Sequence, residues 1–203
     1  MFITFEGIDY SGKSTQAKLL VERLEQSGRS VLFLREPGGT AISEKIRLLL
    51  LDTAHGDLTQ LTEVLLFSAS RSQLVSQVIS PELTKGTIVI CDRYADSTSA
   101  YQGYGRGIPL ASIEALNRIA TSGLLPDLTI LVDIPVEEVV VRQRKKGALS
   151  DRMESAGIEF YERVRKGYEA LSAADPKRWY IVDGRKSVQE IHQQLWQFVQ
   201  SRL

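Results

Sequence analysis

The stretch GIDYSGKS, residues 7–14, fits the pattern G-x-x-x-x-G-K-[ST], with Gly7, Gly12, Lys13 and Ser14 at its fixed places. It follows a short apolar opening and precedes an amphipathic run carrying Ala17, Leu20, Val21 and Leu24, the strand, loop and helix context that the pattern needs. Glycine reaches loop conformations closed to other residues, and successive N–H groups then point inward at phosphate oxygens. Lys13 reaches the outer phosphates, Ser14 can ligate Mg²⁺, and the positive end of the helix faces the anion. Gly7, Ile8, Asp9, Tyr10, Ser11, Gly12, Lys13, Ser14 and Thr15 thus form the expected contact with a nucleoside triphosphate. Such a match arises by chance in roughly 1% of chains of this length.

The rest of the chain continues the alternation that this opening begins. Short β-rich runs at 2–6, 30–35, 87–93, 128–134 and 178–183 are separated by amphipathic stretches, which predicts an α/β fold: a parallel five-stranded sheet with helices on both faces. Helix starts are signalled by Asp57 with Gln60 three residues on, by Pro135 as a first-turn residue, and by Ser187 with Glu190 as a capping box. No repeat, low-complexity tract or linker divides the 203 residues, so one domain over 1–203 is expected. A chain of this size buries roughly 70% of the surface its unfolded form exposes, so a true core is expected.

Composition narrows the partners. Lys plus Arg and Asp plus Glu are 25 each, giving a formal net charge of zero. No global field then draws the chain to nucleic acid or anionic lipid, and any anion site must be local. The single cysteine, Cys91, lies in the apolar run TIVIC and reads as a small core residue of a strand. The opening has neither the basic nor the long apolar region of a signal peptide, and no apolar run approaches the ~20 residues of a membrane span. The expected location is the cytoplasm. His55 and His192 read as loop and surface-helix residues, with no second His or Cys at ligand spacing.

P-loop proteins either hydrolyse their nucleotide with water or pass the phosphoryl group to a second substrate. A guanine-specific switch normally carries Asn-Lys-x-Asp, which this sequence lacks. Instead IVICDRY ends an apolar strand in Asp92 and Arg93. A carboxylate at the carboxyl end of a strand beside the P-loop strand is placed to orient Mg²⁺ or its waters, and Arg93 can grip an oxyanion. Phe67 and Arg71 stand four apart on one helix face, a ring that can stack on a flat base beside a guanidinium that can donate to a carbonyl. Spacing alone favours a core position for Phe67. The segment RQRKKGALSDR, with Arg142, Arg144, Lys145, Lys146 and Arg152, fits a mobile basic lid over about 142–155.

Four motifs in order, FEGIDYSGKST, LREPGGT (34–40), DRYADSTSAYQG (92–103) and the basic segment ending in DRMES (151–155), resemble thymidylate kinases of the bacterial type. The resemblance runs from Met1 to the C-terminal helix and implies transfer of the γ-phosphoryl group of ATP to dTMP, with Mg²⁺ organised by Ser14 and Asp92. By the same resemblance Asp9 bonds the sugar 3′-hydroxyl, Phe67 and Arg71 take the base, and Tyr101 stands where a ribose 2′-hydroxyl would be. Gln102 lies near the base, Ser97 touches it, Glu36 and Pro37 form the turn that lines the acceptor pocket, and Arg93 and Arg35 meet the acceptor phosphate.

The family's catalytic arginine sits either in the P-loop or in the lid. Tyr10 occupies the P-loop position here, so the lid is expected to supply it, first Arg152 and then Arg142 or Arg144, working with Lys13 and Arg93. Family members form homodimers through helix packing, to which the apolar stretch 58–79 could contribute. Two other readings stay open: a kinase for another deoxynucleoside or nucleoside monophosphate, and a P-loop NTPase acting as a switch.

Overall fold

The computed structural model describes residues 1–146 and 157–203. All five apolar runs become strands: β1 (Phe2–Glu6), β2 (Val31–Arg35), β3 (Ile88–Asp92), β4 (Leu128–Asp133) and β5 (Trp179–Asp183). They pair in parallel in the order β2-β3-β1-β4-β5. The described helices are α1 (Lys13–Gln26), α2 (Ala41–Leu51), α3 (Gln60–Leu74), α4 (Ser80–Thr84), α5 (Ala95–Thr98), α6 (Leu110–Thr121), α7 (Val136–Lys146), α8 (Ile158–Ala174) and α9 (Val188–Gln200). π-Helical turns continue α3 over Val75–Ile79 and α5 over Ser99–Gly105.

Alternate strand residues face opposite layers. Ile3, Phe5, Ile90, Ile130 and Val132 pack with Leu20 and Leu24 of α1 and with Leu195 and Val199 of α9. On the other face Phe2, Val89 and Cys91 pack with Leu74 and Ile79, and Leu131 with Val164 and Tyr168 of α8. Covering both faces is why the strands read as continuous apolar runs rather than alternating ones. Cys91 is the core residue expected, wholly buried, and burial pushes its thiol well above the ordinary range.

Local signals held at α9, where Ser187 and Glu190 form the capping box, and Pro135 directly precedes α7. They failed at α3. Asp57 does not open that helix; Thr59 caps it, its hydroxyl accepting from the Thr62 N–H at 3.2 Å. Both residue types can cap, but only the one directly before the first turn reaches the third amide. The apolar stretch 58–79 is also divided: Val64, Leu74, Val75 and Ile79 are buried in the core, whereas Leu61 and Leu65 face outward. No described helix is long and apolar enough to cross a membrane.

The strand order places the loop after β1 between β3 and β4, at the carboxyl edge where open parallel sheets leave a crevice. Phe5 lies opposite Asp92 in register, and the Arg93 N–H donates to the Phe5 carbonyl at 2.9 Å. Two motifs nearly ninety residues apart in sequence therefore end side by side.

Candidate active site

A cleft of about 450 Å³ opens at this edge, lined on one side by Asp9, Tyr10, Gly12, Lys13, Ser14 and Thr15. Gly7 has φ +140°, and a Cβ there would meet the Val132 carbonyl oxygen at 2.5 Å, so glycine is required. Gly12 caps α1 in the left-handed region at φ +97°. Ile8 turns into the core, and Gly7 and Ser11 are buried, so these three residues stay behind the loop while Asp9, Tyr10, Gly12, Lys13, Ser14 and Thr15 face the cleft. Lys13 is 8% exposed; burial lowers its pKa, and Arg93 acts in the same direction. The Ser14 hydroxyl donates to Asp92 Oδ2. Asp92 Oδ1 is buried with no hydrogen-bond partner among the described residues.

Next to the loop, Arg93 sits in the left-handed backbone region at φ 71°, unusual for a residue with a side chain. Its Nη2 donates to Asp9 Oδ1 at 2.6 Å and to the Tyr101 hydroxyl at 2.9 Å, while Nη1 donates to the Gly7 carbonyl at 3.1 Å. Nη1 also reaches Ser97 Oγ and the Tyr168 hydroxyl, at 3.1 and 3.3 Å. Tyr101 and Tyr161 both donate to Asp9 Oδ2, at 2.9 and 3.1 Å. Burial alone would raise the Asp9 carboxyl, but Arg93 and Lys13 hold it below the ordinary value. Beneath this cluster burial pushes the Glu6 carboxyl up to about 7, with Asp96 acting in the same direction.

The opposite wall is built on a second buried ion pair. Arg71 Nε donates to Glu36 Oε2 at 2.7 Å, Nη1 to Thr98 Oγ1 and Asn117 Oδ1, and Nη2 to the Tyr94 carbonyl. Four of the five guanidinium N–H groups are thus committed, and one on Nη2 remains among the described residues. Burial raises the Glu36 carboxyl while Arg71 opposes the shift. Phe67 is partly exposed and lines the cleft rather than the core that spacing alone favoured. Gln102, on the π-helical turn, donates to Glu63 Oε1 at 2.8 Å. The Glu36-Pro37 bond is cis, and Arg35 and Arg47 both donate to the Pro37 carbonyl, at 2.7 and 3.0 Å.

The cleft therefore brings together Asp9, Tyr10, Lys13, Ser14, Thr15, Arg35, Glu36, Pro37, Phe67, Arg71, Asp92, Arg93, Ser97, Tyr101 and Gln102 from the sequence reading. It does not include Arg142. That residue donates to the Tyr10, Ser11 and Gly184 carbonyls at 3.2, 3.2 and 2.8 Å, strapping the outside of the loop. Arg144 is exposed near the end of α7, and Arg152 lies outside the described residues. Sequence reasoning missed Glu6, Arg47, Thr98, Tyr161 and Tyr168. Only the last two left a signal, as aromatic residues seven apart on one helix.

The phosphate-binding loop over a parallel sheet, with a cleft walled by ion-paired arginines and hydroxyls, defines a kinase of the P-loop α/β class. The chain belongs to the thymidylate kinase family, whose model, described as "Thymidylate kinase", matches residues 5–195. It is 47% identical over 209 residues to the thymidylate kinase of Chlorobaculum parvum, covering 99% of this chain and 96% of that protein. It is 50% identical over 200 residues to that of Chlorobium luteolum, covering 95% and 93%. The crystal structure of thymidylate kinase from Ehrlichia chaffeensis superposes with a TM-score of 0.81 at 37% identity, covering 98% of both chains.

Proposed function

We propose that the cleft is where the γ-phosphoryl group of ATP passes to dTMP, giving dTDP and ADP in the route to dTTP for DNA synthesis. The observation that carries this reading is one cleft lined by both a phosphate-binding loop and a wall bearing an aromatic ring, hydroxyls and two ion-paired guanidiniums. The acceptor phosphate oxygen forms its bond to the γ-phosphorus as the bond to the departing ADP oxygen breaks. Such a transfer asks for alignment and charge neutralisation rather than a side-chain nucleophile.

In this reading Gly7, Ile8, Asp9, Tyr10, Ser11, Gly12, Lys13, Ser14 and Thr15 shape the ATP side, and Lys13 draws charge from the transferring group. Arg93 offers Nε to the acceptor phosphate, its terminal nitrogens being held by the protein. Asp9 meets the sugar 3′-hydroxyl, Tyr101 blocks a 2′-hydroxyl, Phe67 stacks on thymine, and the remaining Arg71 N–H donates to a base carbonyl, which would disfavour the amino group of cytosine. Ser97, Gln102, Glu36 and Pro37 complete the acceptor side.

The residues present also fit a divalent cation. The unpartnered Asp92 Oδ1 and the Ser14 hydroxyl stand together at the cleft, and no acidic cage of three or more ligands exists among the described residues. That suits Mg²⁺, which takes one or two protein ligands with substrate phosphates. Ser14 and Asp92 would hold it, and its charge would neutralise phosphate oxygens. The lid arginine, Arg152 first, would close over the transfer. The whole chain would act as one domain, in the cytoplasm where these substrates serve DNA synthesis, and as a homodimer in which exposed Leu48, Leu49, Leu61 and Leu65 meet their copies.

The test is ADP formation from Mg·ATP with dTMP, dUMP, dCMP, dGMP, thymidine or no acceptor, with direct detection of product. dTDP should form far faster than any other product. Faster turnover of another acceptor would reassign the substrate, and an acceptor-independent rate would make the chain an NTPase.

A further inference from the structure

Glu6, the last residue of β1, is wholly buried and forms no ion pair among the described residues. A buried carboxylate is costly unless its oxygens are hydrogen-bonded. Here Oε1 accepts from the Tyr94 N–H at 2.8 Å, and Oε2 accepts from Ser97 Oγ at 2.5 Å and the Tyr168 hydroxyl at 2.8 Å. Every one of these donors adjoins Arg93. Tyr94 is the next residue in the chain, so its N–H anchors the turn in which Arg93 takes φ 71°. Ser97 and Tyr168 are the two hydroxyls that accept from Arg93 Nη1.

The direction of these bonds follows from donor chemistry. In its ionised form Glu6 only accepts, so it draws both hydroxyl protons to itself and turns the oxygens' lone pairs toward the guanidinium. Ser97 and Tyr168 also lie 3.0 Å from each other. With an amide at position 6 whose oxygen still accepts from the Tyr94 N–H, the NH2 group stands where Oε2 accepts, donates to these hydroxyl oxygens and competes with Arg93 for their lone pairs.

We propose that Glu6 is a positioning residue for phosphoryl transfer: it fixes Arg93 through the Tyr94 backbone and through the paired Ser97 and Tyr168 hydroxyls, and so sets where that guanidinium meets the acceptor. The proposal rests on the reading of Arg93 as an acceptor-phosphate contact. Glu6 touches neither substrate; its effect passes through Arg93.

A double-mutant cycle on the full-length chain separates this from a role in stability alone. Glu6→Gln should lower kcat/KM for dTMP about 10-fold, the scale of one lost hydrogen bond to a charged group, with KM for ATP nearly unchanged. Tyr168→Phe, which keeps the ring in the core, should lower it in the same sense and serves if Glu6→Gln does not fold. In an Arg93→Ala background neither change should cost further activity. Losses that multiply in that background, or single variants with wild-type kinetics while Arg93→Ala is impaired, would overturn the proposal alone. Wild-type kinetics of Arg93→Ala would instead remove the reading of Arg93 on which it rests.

Discussion

Asp9 and Arg93 close on each other across the mouth of the cleft, with Asp9 Oδ1 accepting from Arg93 Nη2 at 2.6 Å. The pair joins the P-loop to the end of β3, and both side chains are mostly buried. A carboxylate in an anion-binding loop is therefore balanced by a neighbouring guanidinium and by two tyrosine hydroxyls.

The pairing gives Asp9 a pH signature. Its folded pKa lies below the ordinary aspartate value, so the stability it contributes is present above that ordinary value and is lost as pH falls through the folded pKa. Asp9→Asn should melt lower than wild type near neutral pH, with the gap closing below about pH 4. A gap constant from neutral to strongly acidic pH would show that the charge of Asp9 carries no stability.

Lys13 predicts the opposite trade. Burial and Arg93 both disfavour its charge in the ligand-free fold, yet the proposed reaction requires it, a conflict common where activity and stability compete. Lys13→Met should lower kcat about 100-fold or more, the scale of losing one preorganised electrostatic stabiliser. The ligand-free protein should melt at or above the wild-type temperature, while the rise in melting temperature on adding ATP should shrink. An equal rise with ATP in both proteins would take Lys13 out of the phosphate contact.

The Glu36–Arg71 pair is buried on both sides, at 3% and 1% side-chain exposure. Removing one partner leaves an uncompensated charge, so Arg71→Met should destabilise the fold by about 3–5 kcal/mol, measured by urea unfolding. Adding Glu36→Gln should recover part of that loss, because the remaining group is then neutral. A single variant as stable as wild type would mean that Glu36 already holds a proton in the fold.

The strands were legible because burial on both faces leaves unbroken apolar runs, and the P-loop because its glycines, lysine and serine lie within eight residues. Asp92 and Arg93 were legible from their place at a strand end. Arg71 was legible as a cleft residue sharing a helix face with Phe67, but its ion pair with Glu36 spans 35 residues and had no sequence signal. Tyr168 meets Glu6 across 162 residues, a contact made by the sheet and α8 together. A carboxylate in the strand FITFE gives no hint that its partners come from two distant segments, one holding Tyr94 and Ser97 and the other Tyr168.

Arg142 shows how a charge run can conceal a structural job. The sequence groups it with the lid, whereas its guanidinium holds the Tyr10 and Ser11 carbonyls of the P-loop and the Gly184 carbonyl after β5. Arg142 itself does not line the cleft, so these bonds strap from behind the loop that the proposed function sets against ATP. Arg142→Ala should therefore raise KM for ATP several-fold, roughly 10-fold for loss of charge-assisted bonds, while KM for dTMP changes little. Arg142→Lys keeps the charge but lacks the planar fork that spans three acceptors, so it should recover only part of the ATP affinity. Steady-state kinetics with each substrate varied in turn checks both variants. A fall in kcat with both KM values unchanged would mean an interaction made only in the transition state, and would return Arg142 to the set of lid arginines that act on the transferring group.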